Sequence, residues 1–238
     1  MMTARAVRVI SVSIDRIREE FDRIALLTER DEVGGAGDVY HEYLVRHLPS
    51  RLEKALEVGC GTGAFTRLLA SRAREVAALD LSPQMIRLAK AQSAGCENIE
   101  YLLGDLMQLA LPAAEYDCIV SIATLHHLPL ESALLKMKDA LKPNGLLIIH
   151  DLVADAGLLD KSVSALAYPL SVMRRFWRTG RIRMSREVRE AWAEHGKNEV
   201  YLTLSEVREM CGKHLPSAQV KRHLFWRYTL VWRKQVAA

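Results

Sequence analysis

The chain has 238 residues, half of them hydrophobic and about a quarter charged, which suits one α/β domain able to bury a sizeable core. A net charge of +4 and a pI near 8.9 permit an acidic substrate without demanding nucleic acid, and no run approaches the ~20 apolar residues of a spanning helix. Cys60, Cys96, Cys118 and Cys211 form no C-x-x-C pair, which excludes a disulfide frame and a cysteine zinc site and points to reduced thiols in the cytoplasm.

Met1 to Ile10 carries arginines but no apolar h-region, so no secretory signal is expected. Ile14, Ile17, Phe21, Ile24 and Leu27 recur near helical spacing and predict a helix over 14–27. Gly34-Gly35-Ala36-Gly37 breaks it, Asp38 caps a second helix reaching Leu48, and Pro49 ends that one. Residues 1–50 read as a helical cap on the domain that 51–238 form.

From Lys54 onward strands and helices alternate: strand 55–58, helix 63–73, strand 75–80, helix 83–94, strand 98–103, strand 116–121, helix 130–141 and strand 145–150. Ser82 before Pro83 is an N-cap with proline at the first helical position. Leu130, Leu134, Met137 and Leu141 make the buried stripe of the next helix, which Lys142-Pro143-Asn144-Gly145 terminates. Cys118-Ile119-Val120 and Leu146-Leu147-Ile148-Ile149 are solidly apolar, as strands covered on both faces are. The alternation predicts an α/β, Rossmann-like, doubly wound and mostly parallel sheet with helices on both faces.

After Asp151 the regularity lapses. An apolar segment covers 158–178, a helix runs from Ser185 to His195, and Thr203 with Glu206 makes the capping box of a last helix. Two strands, 217–223 and 226–233, close the chain as an antiparallel hairpin. Residues at about 155–200 read as a helical insert.

The chemistry concentrates at Leu56-Glu57-Val58-Gly59-Cys60-Gly61-Thr62-Gly63, where a short strand stops at three alternating glycines and a helix begins. Strand, glycine turn and helix in that order is a mononucleotide-binding unit. Glycine lets backbone approach a ligand and adopt positive φ. Gly59, Gly61 and Ala64 also satisfy the G-x-G-x-x-G/A fingerprint, so the turn alone does not choose the ligand. Asp80, at the end of the second strand, is placed to accept from ribose hydroxyls.

Further blocks discriminate. Glu57 precedes Gly59 by two, and Asp105 follows the third strand in Gly104-Asp105-Leu106. Tyr116 to Ser121 runs into Ile122-Ala123-Thr124-Leu125-His126-His127-Leu128, and Leu141-Lys142-Pro143-Asn144-Gly145 precedes the fifth strand. Together, over about residues 52–151, these resemble the class I S-adenosylmethionine-dependent methyltransferases, particularly the small-molecule group typified by quinone-biosynthesis enzymes. The resemblance implies S-adenosylmethionine as donor. Gly59, Gly61 and Gly63 would line its methionine part with Glu57 beneath the loop, and Asp80 would hold the ribose. Leu81 and Met85 would flank the adenine, Asp105 would accept from its amino group beside Leu106, and Ser121 and Ile122 would meet the amino-acid portion.

The donor's sulfonium is a good leaving group, so positioning carries much of the chemistry, and a base is needed only for a protonated nucleophile. Candidates are His126, His127, His150, Asp151, Tyr40 and His41, each with a packing or capping alternative. Adjacent histidines point to different sides, and His127 is taken as the catalytic one. No metal is expected, because no third ligand lies at helical or strand spacing from the pair. Cys60 reads as a small loop residue. The fourth strand lacks the Asn/Asp-Pro-Pro-Tyr/Phe and Pro-Cys motifs of nucleobase methylation, leaving a small-molecule acceptor.

Arg174, Arg175, Arg178, Arg181, Arg183, Arg186 and Arg189, with Phe176 and Trp177, read as a solvated lid face before a surface for RNA or membrane. The rival readings are a nicotinamide-dependent oxidoreductase, a non-catalytic donor-binding protein and an RNA methyltransferase.

Overall fold

The structure is a computed structural model and describes residues 13–31, 40–154, 173, 176–177, 185–197, 199 and 201–236. Its elements are α1 (Ile14–Asp31), α2 (His41–Val45), β1 (Leu52–Val58), α3 (Ala64–Ala70), β2 (Ala73–Asp80), α4 (Pro83–Gln92), β3 (Ile99–Leu103) and β4 (Tyr116–Ile122). A 3₁₀ turn at Leu125–His127 follows, then α5 (Leu130–Ala140), β5 (Leu141–Leu152), α6 (Arg186–Gly196), α7 (Leu204–His214), β6 (Gln219–His223) and β7 (Arg227–Arg233). None of the described helices is long and apolar enough to cross a membrane. The glycine break at 34–37, the Asp38 cap, the apolar segment up to 172 and Arg174, Arg175, Arg178, Arg181 and Arg183 lie outside the described residues.

The seven strands form one sheet in the order β3-β2-β1-β4-β5-β7-β6. Neighbours from β3 to β5 are parallel, and β7 joins β5 antiparallel with β6 outside it. Chain order reverses between β1 and β4, so the carboxyl ends of these two strands open the crevice where such sheets hold ligands.

Strand alternation sorts the core into two layers. Leu56, Val58, Ile119, Leu147 and Ile149 face α5, α7 and the buried side of β7, while Ala55, Cys118, Val120, Leu146 and Ile148 face Phe65 and Leu69 of α3 and Leu44 of α2. A third cluster lies on neither sheet face: Ile24 and Ala25 of α1 meet Met85 and Leu88 of α4 and Ala191 of α6.

Several boundaries depart from the sequence reading, three of them with a local cause. α2 stops at Val45 rather than Leu48, because His47 and Leu48 donate to carbonyls only three residues back and tighten the chain into a turn. β2 starts at Ala73, since the turn after α3 takes only Ser71 and Arg72. Lys142 to Gly145 ends the helix yet sits inside β5 as an irregularity: Tyr116 pairs with Leu141, and pairing resumes at Cys118 with Leu146. Asn144 there has φ 63, and a Cβ on Gly145 would lie 2.7 Å from the Lys142 carbonyl oxygen.

Candidate active site

At the end of β1 the backbone turns on three left-handed glycines, Gly59 (φ 76), Gly61 (φ 52) and Gly63 (φ 75). The amides of Gly59 and Cys60 both donate to the Leu79 carbonyl, at 2.8 and 3.0 Å, which pins the turn to β2. Two of the glycines serve opposite ends. A Cβ on Gly59 would fall 1.9 Å from Thr124 Oγ1, so the loop after β4 packs directly against it; a Cβ on Gly61 would meet nothing within 4 Å.

Asp80 holds this turn from the neighbouring strand. Its Oδ2 accepts from the Gly61 amide at 2.8 Å and its Oδ1 from the Ser82 amide at 2.9 Å. Burial pushes the carboxyl up from its ordinary value, and the amides of Ser82, Gly61 and Leu81 act against that rise. Ser82 caps α4 by accepting from the Met85 amide, while its hydroxyl and the Gln84 amide both donate to Asp22 of α1. α1 is thereby fastened to the rim of the crevice.

Asp105 lies past β3, beside Asp80: the Gly104 amide donates to the Asp80 carbonyl at 2.9 Å. Oδ1 of Asp105 accepts from the Met107 amide, whereas its Oδ2 is buried without a hydrogen-bond partner among the described residues. A buried carboxylate oxygen without a donor is costly, and its placement asks for a donor from a ligand.

Glu57 is almost fully buried below the turn and accepts from the Thr66 hydroxyl of α3. Burial raises its carboxyl to about 8, with the Thr66 bond pulling the other way and Asp80 adding to the rise. Ser121 is buried and gives its hydroxyl to the Val58 carbonyl at 2.9 Å, so it braces β1. Ile122 and Leu81 are partly exposed at strand ends. Met85 packs beneath α1 and Leu106 lies in the main core, both buried. Burial drives the Cys60 thiol far above its ordinary range, in keeping with an inert loop residue.

On the β4–β5 side the histidines depart from expectation. His126 and His127 do not diverge; the 3₁₀ turn holds their ring centroids 3.9 Å apart in one cluster. His126 Nδ1 lies 2.6 Å from Asp151 Oδ1, and the His126 amide donates to Asp151 Oδ2. Burial opposes ionisation of Asp151, yet the His126 ring holds its carboxyl below the usual value. His127 Nδ1 stands 3.1 Å from Glu199, but the contact is misaligned, and both ring nitrogens are buried without a hydrogen bond. Desolvation lowers the His127 pKa, with Glu199 pulling it up.

A third imidazole joins them. His195, in the last turn of α6, offers a ring nitrogen within 4.8 Å of those of His126 and His127, and its Nδ1 is 2.8 Å from Glu20 of α1. Phe21 sets its ring edge-on to both His127 and His195, at 5.4 and 5.0 Å. No third ligand stands at helical or strand spacing from the pair; the third imidazole comes from an element 68 residues downstream, which no local spacing reveals. His195, Glu20, Glu199, Asp22 and Thr66 carry no sequence signal beyond ordinary helix and loop positions.

His150 occupies the opposite sheet face, bonded through Nδ1 to Thr229 Oγ1 and stacked 4.6 Å from Tyr40. Tyr40 spends its hydroxyl on the Leu224 carbonyl, and His41 packs on Phe65. All three lie between α2 and the sheet.

Comparison with known proteins points the same way. A family model described as a methyltransferase domain matches residues 56–149. An uncharacterized methyltransferase of Mycobacterium tuberculosis is 30% identical over 210 residues, 87% of this chain and 100% of that one. The malonyl-[acyl-carrier protein] O-methyltransferase of Serratia marcescens is 37% identical over 103 residues, 43% of this chain and 39% of the relative, so the match spans under half of each. Among solved structures, the N-methyltransferase NodS from Bradyrhizobium japonicum in complex with S-adenosyl-L-homocysteine shares the fold, with a TM-score of 0.58 at 18% identity over 89% of this chain and 98% of that one.

Proposed function

Because the chain belongs to the class I S-adenosylmethionine-dependent methyltransferases, we propose that it methylates an O, N or C nucleophile of a small-molecule acceptor, with the donor seated over the Gly59–Gly63 turn. The donor supplies an electrophilic methyl on sulfonium, open to in-line displacement. The chain's own task is to hold and orient, which can supply on the order of 7 kcal/mol or more. Asp80 accepts from the ribose, Asp105 from the adenine amino group, Gly61 leaves room for the tail, and Glu57 sits below it with Thr66. Leu81 and Ile122 border the site; Met85, Leu106 and Ser121 act by holding its wall.

His127 is the side chain we place against the acceptor, where its ring nitrogen takes the proton of a nucleophile that arrives protonated. The four cysteines are free thiols, three of them buried, which supports a cytoplasmic setting. Arg186, from the arginine-rich stretch, spends its charge on Glu190 at 2.7 Å, which favours a solvated helix face over an RNA surface.

The unpartnered Oδ2 of Asp105, beside Asp80, carries this reading. Calorimetry with S-adenosylhomocysteine and with NADH tests it. The expected result is saturable binding of the first, no binding of the second, and a loss of about tenfold or more in Asp105→Ala, since a hydrogen bond to a charged group contributes about 1.5–3 kcal/mol. Unchanged affinity in that variant removes Asp105 from the adenine.

A further inference from the structure

The three imidazoles at the carboxyl end of β4 do more than pack. We propose that His126, His127 and His195 form a binding site for a divalent transition metal, with zinc as its occupant. Their candidate ligand atoms already lie within 4.8 Å of one another. Zinc–nitrogen bonds of ~2.0–2.1 Å bring tetrahedral ligands to about 3.4 Å apart, so closure shortens each separation by about 1.4 Å at most.

Each ring has a carboxylate of its own, from a different element. His126 Nδ1 is 2.6 Å from Asp151, His195 Nδ1 2.8 Å from Glu20, and His127 Nδ1 3.1 Å from Glu199. For His126 and His195 the carboxylate on Nδ1 fixes the tautomer that leaves Nε2 as a lone-pair donor, the arrangement that orients metal-ligating histidines. Three carboxylates also gather negative charge in a cluster whose imidazole side chains are only 5–6% exposed, and a dication offsets it. His127 supplies the independent sign: both its ring nitrogens are buried and lack a hydrogen bond, a state that a metal on Nε2 relieves.

The all-imidazole donor set selects zinc, cobalt, nickel or copper over magnesium and calcium, which take oxygen ligands. Three protein ligands leave a fourth position for water or an acceptor oxygen. The location rests on the structure alone, while a part in methyl transfer rests on the proposed function.

Equilibrium dialysis of chelator-treated, full-length protein against zinc chloride decides the matter, with cobalt(II) absorption as a second readout. We expect one zinc per chain, the intense visible bands of four-coordinate cobalt, and a rise in melting temperature with zinc. His195→Ala loses all three and keeps S-adenosylhomocysteine binding. Should His195→Ala fail to fold, Glu20→Gln leaves all ligands in place and weakens zinc by about 10–100-fold. Absence of stoichiometric zinc, or equal zinc in wild type and these variants, overturns the site. Zinc bound at the three histidines without any S-adenosylhomocysteine affinity overturns the donor reading and leaves the metal site standing.

Discussion

Glu57 puts a proton-linked cost directly below the glycine turn. Its folded-state carboxyl titrates at about 8, raised by burial from 4.5. Between those values the folded chain keeps a proton that the unfolded chain releases, so stability falls as pH rises through this window. Glu57→Gln removes the titration and keeps a neutral hydrogen-bonding group of like size. Urea unfolding is expected to show variant and wild type level near pH 4.5 and the variant more stable at pH 8.5; parallel curves would remove Glu57 as the source. Gly59 sets a steric limit at the same turn. Gly59→Ala puts a methyl 1.9 Å from Thr124 Oγ1 and holds alanine at φ 76, a backbone cost of about 1–2 kcal/mol by itself. Donor affinity should collapse in the single variant, and adding Thr124→Gly should restore the steric part while the backbone part persists. No recovery in the double variant would show that Thr124 is not the obstacle.

At the scale of elements, α1 shows what periodicity reveals and what it hides. Ile17, Phe21 and Ile24 predict an amphipathic helix, and the helix forms over Ile14–Asp31. Periodicity names the buried stripe but not its partner, which proves to be α4 and α6 rather than the sheet. The polar contact is equally silent in sequence: Asp22 looks like one more solvated acid, yet it accepts from Ser82 Oγ and the Gln84 amide at the start of α4. A carboxylate there satisfies an orphan amide and faces the positive end of the helix. Asp22→Ala should cost about 1–2 kcal/mol in thermal or chemical unfolding, as loss of a helix cap does. Because Ser82 also donates its amide to Asp80, the variant should weaken S-adenosylhomocysteine binding in calorimetry. A stable variant with full affinity would show that α1 is not fastened through this contact.

Over the whole molecule, the parallel half of the sheet was legible because each strand is a short apolar run and each crossover a helix with its own stop signal. The proposed donor site followed from it: Gly59, Asp80 and Asp105 each stand at a strand end, and strand ends converge. The histidine cluster was not legible, because His195, Glu20 and Glu199 reach His126 and His127 through tertiary packing alone, from α6, α1 and the chain after α6. The C-terminal hairpin was visible as two strands, yet its place beside β5 comes from what it buries. Tyr228, Leu230 and Trp232 alternate onto the face shared with α5 and α7. The Trp232 indole donates to the Pro216 carbonyl at 3.0 Å, with the Lys138 ammonium 5.8 Å over its ring. The hairpin is thus part of the same core as the parallel strands, not an appendage. Trp232→Ala should cost about 3–5 kcal/mol, the usual price of emptying an aromatic site. Trp232→Phe keeps most of the volume, loses the indole bond, and should cost about 1–3 kcal/mol. Chemical denaturation should give one cooperative transition in both variants, shifted by those amounts; an early separate transition would mean that the hairpin unfolds on its own.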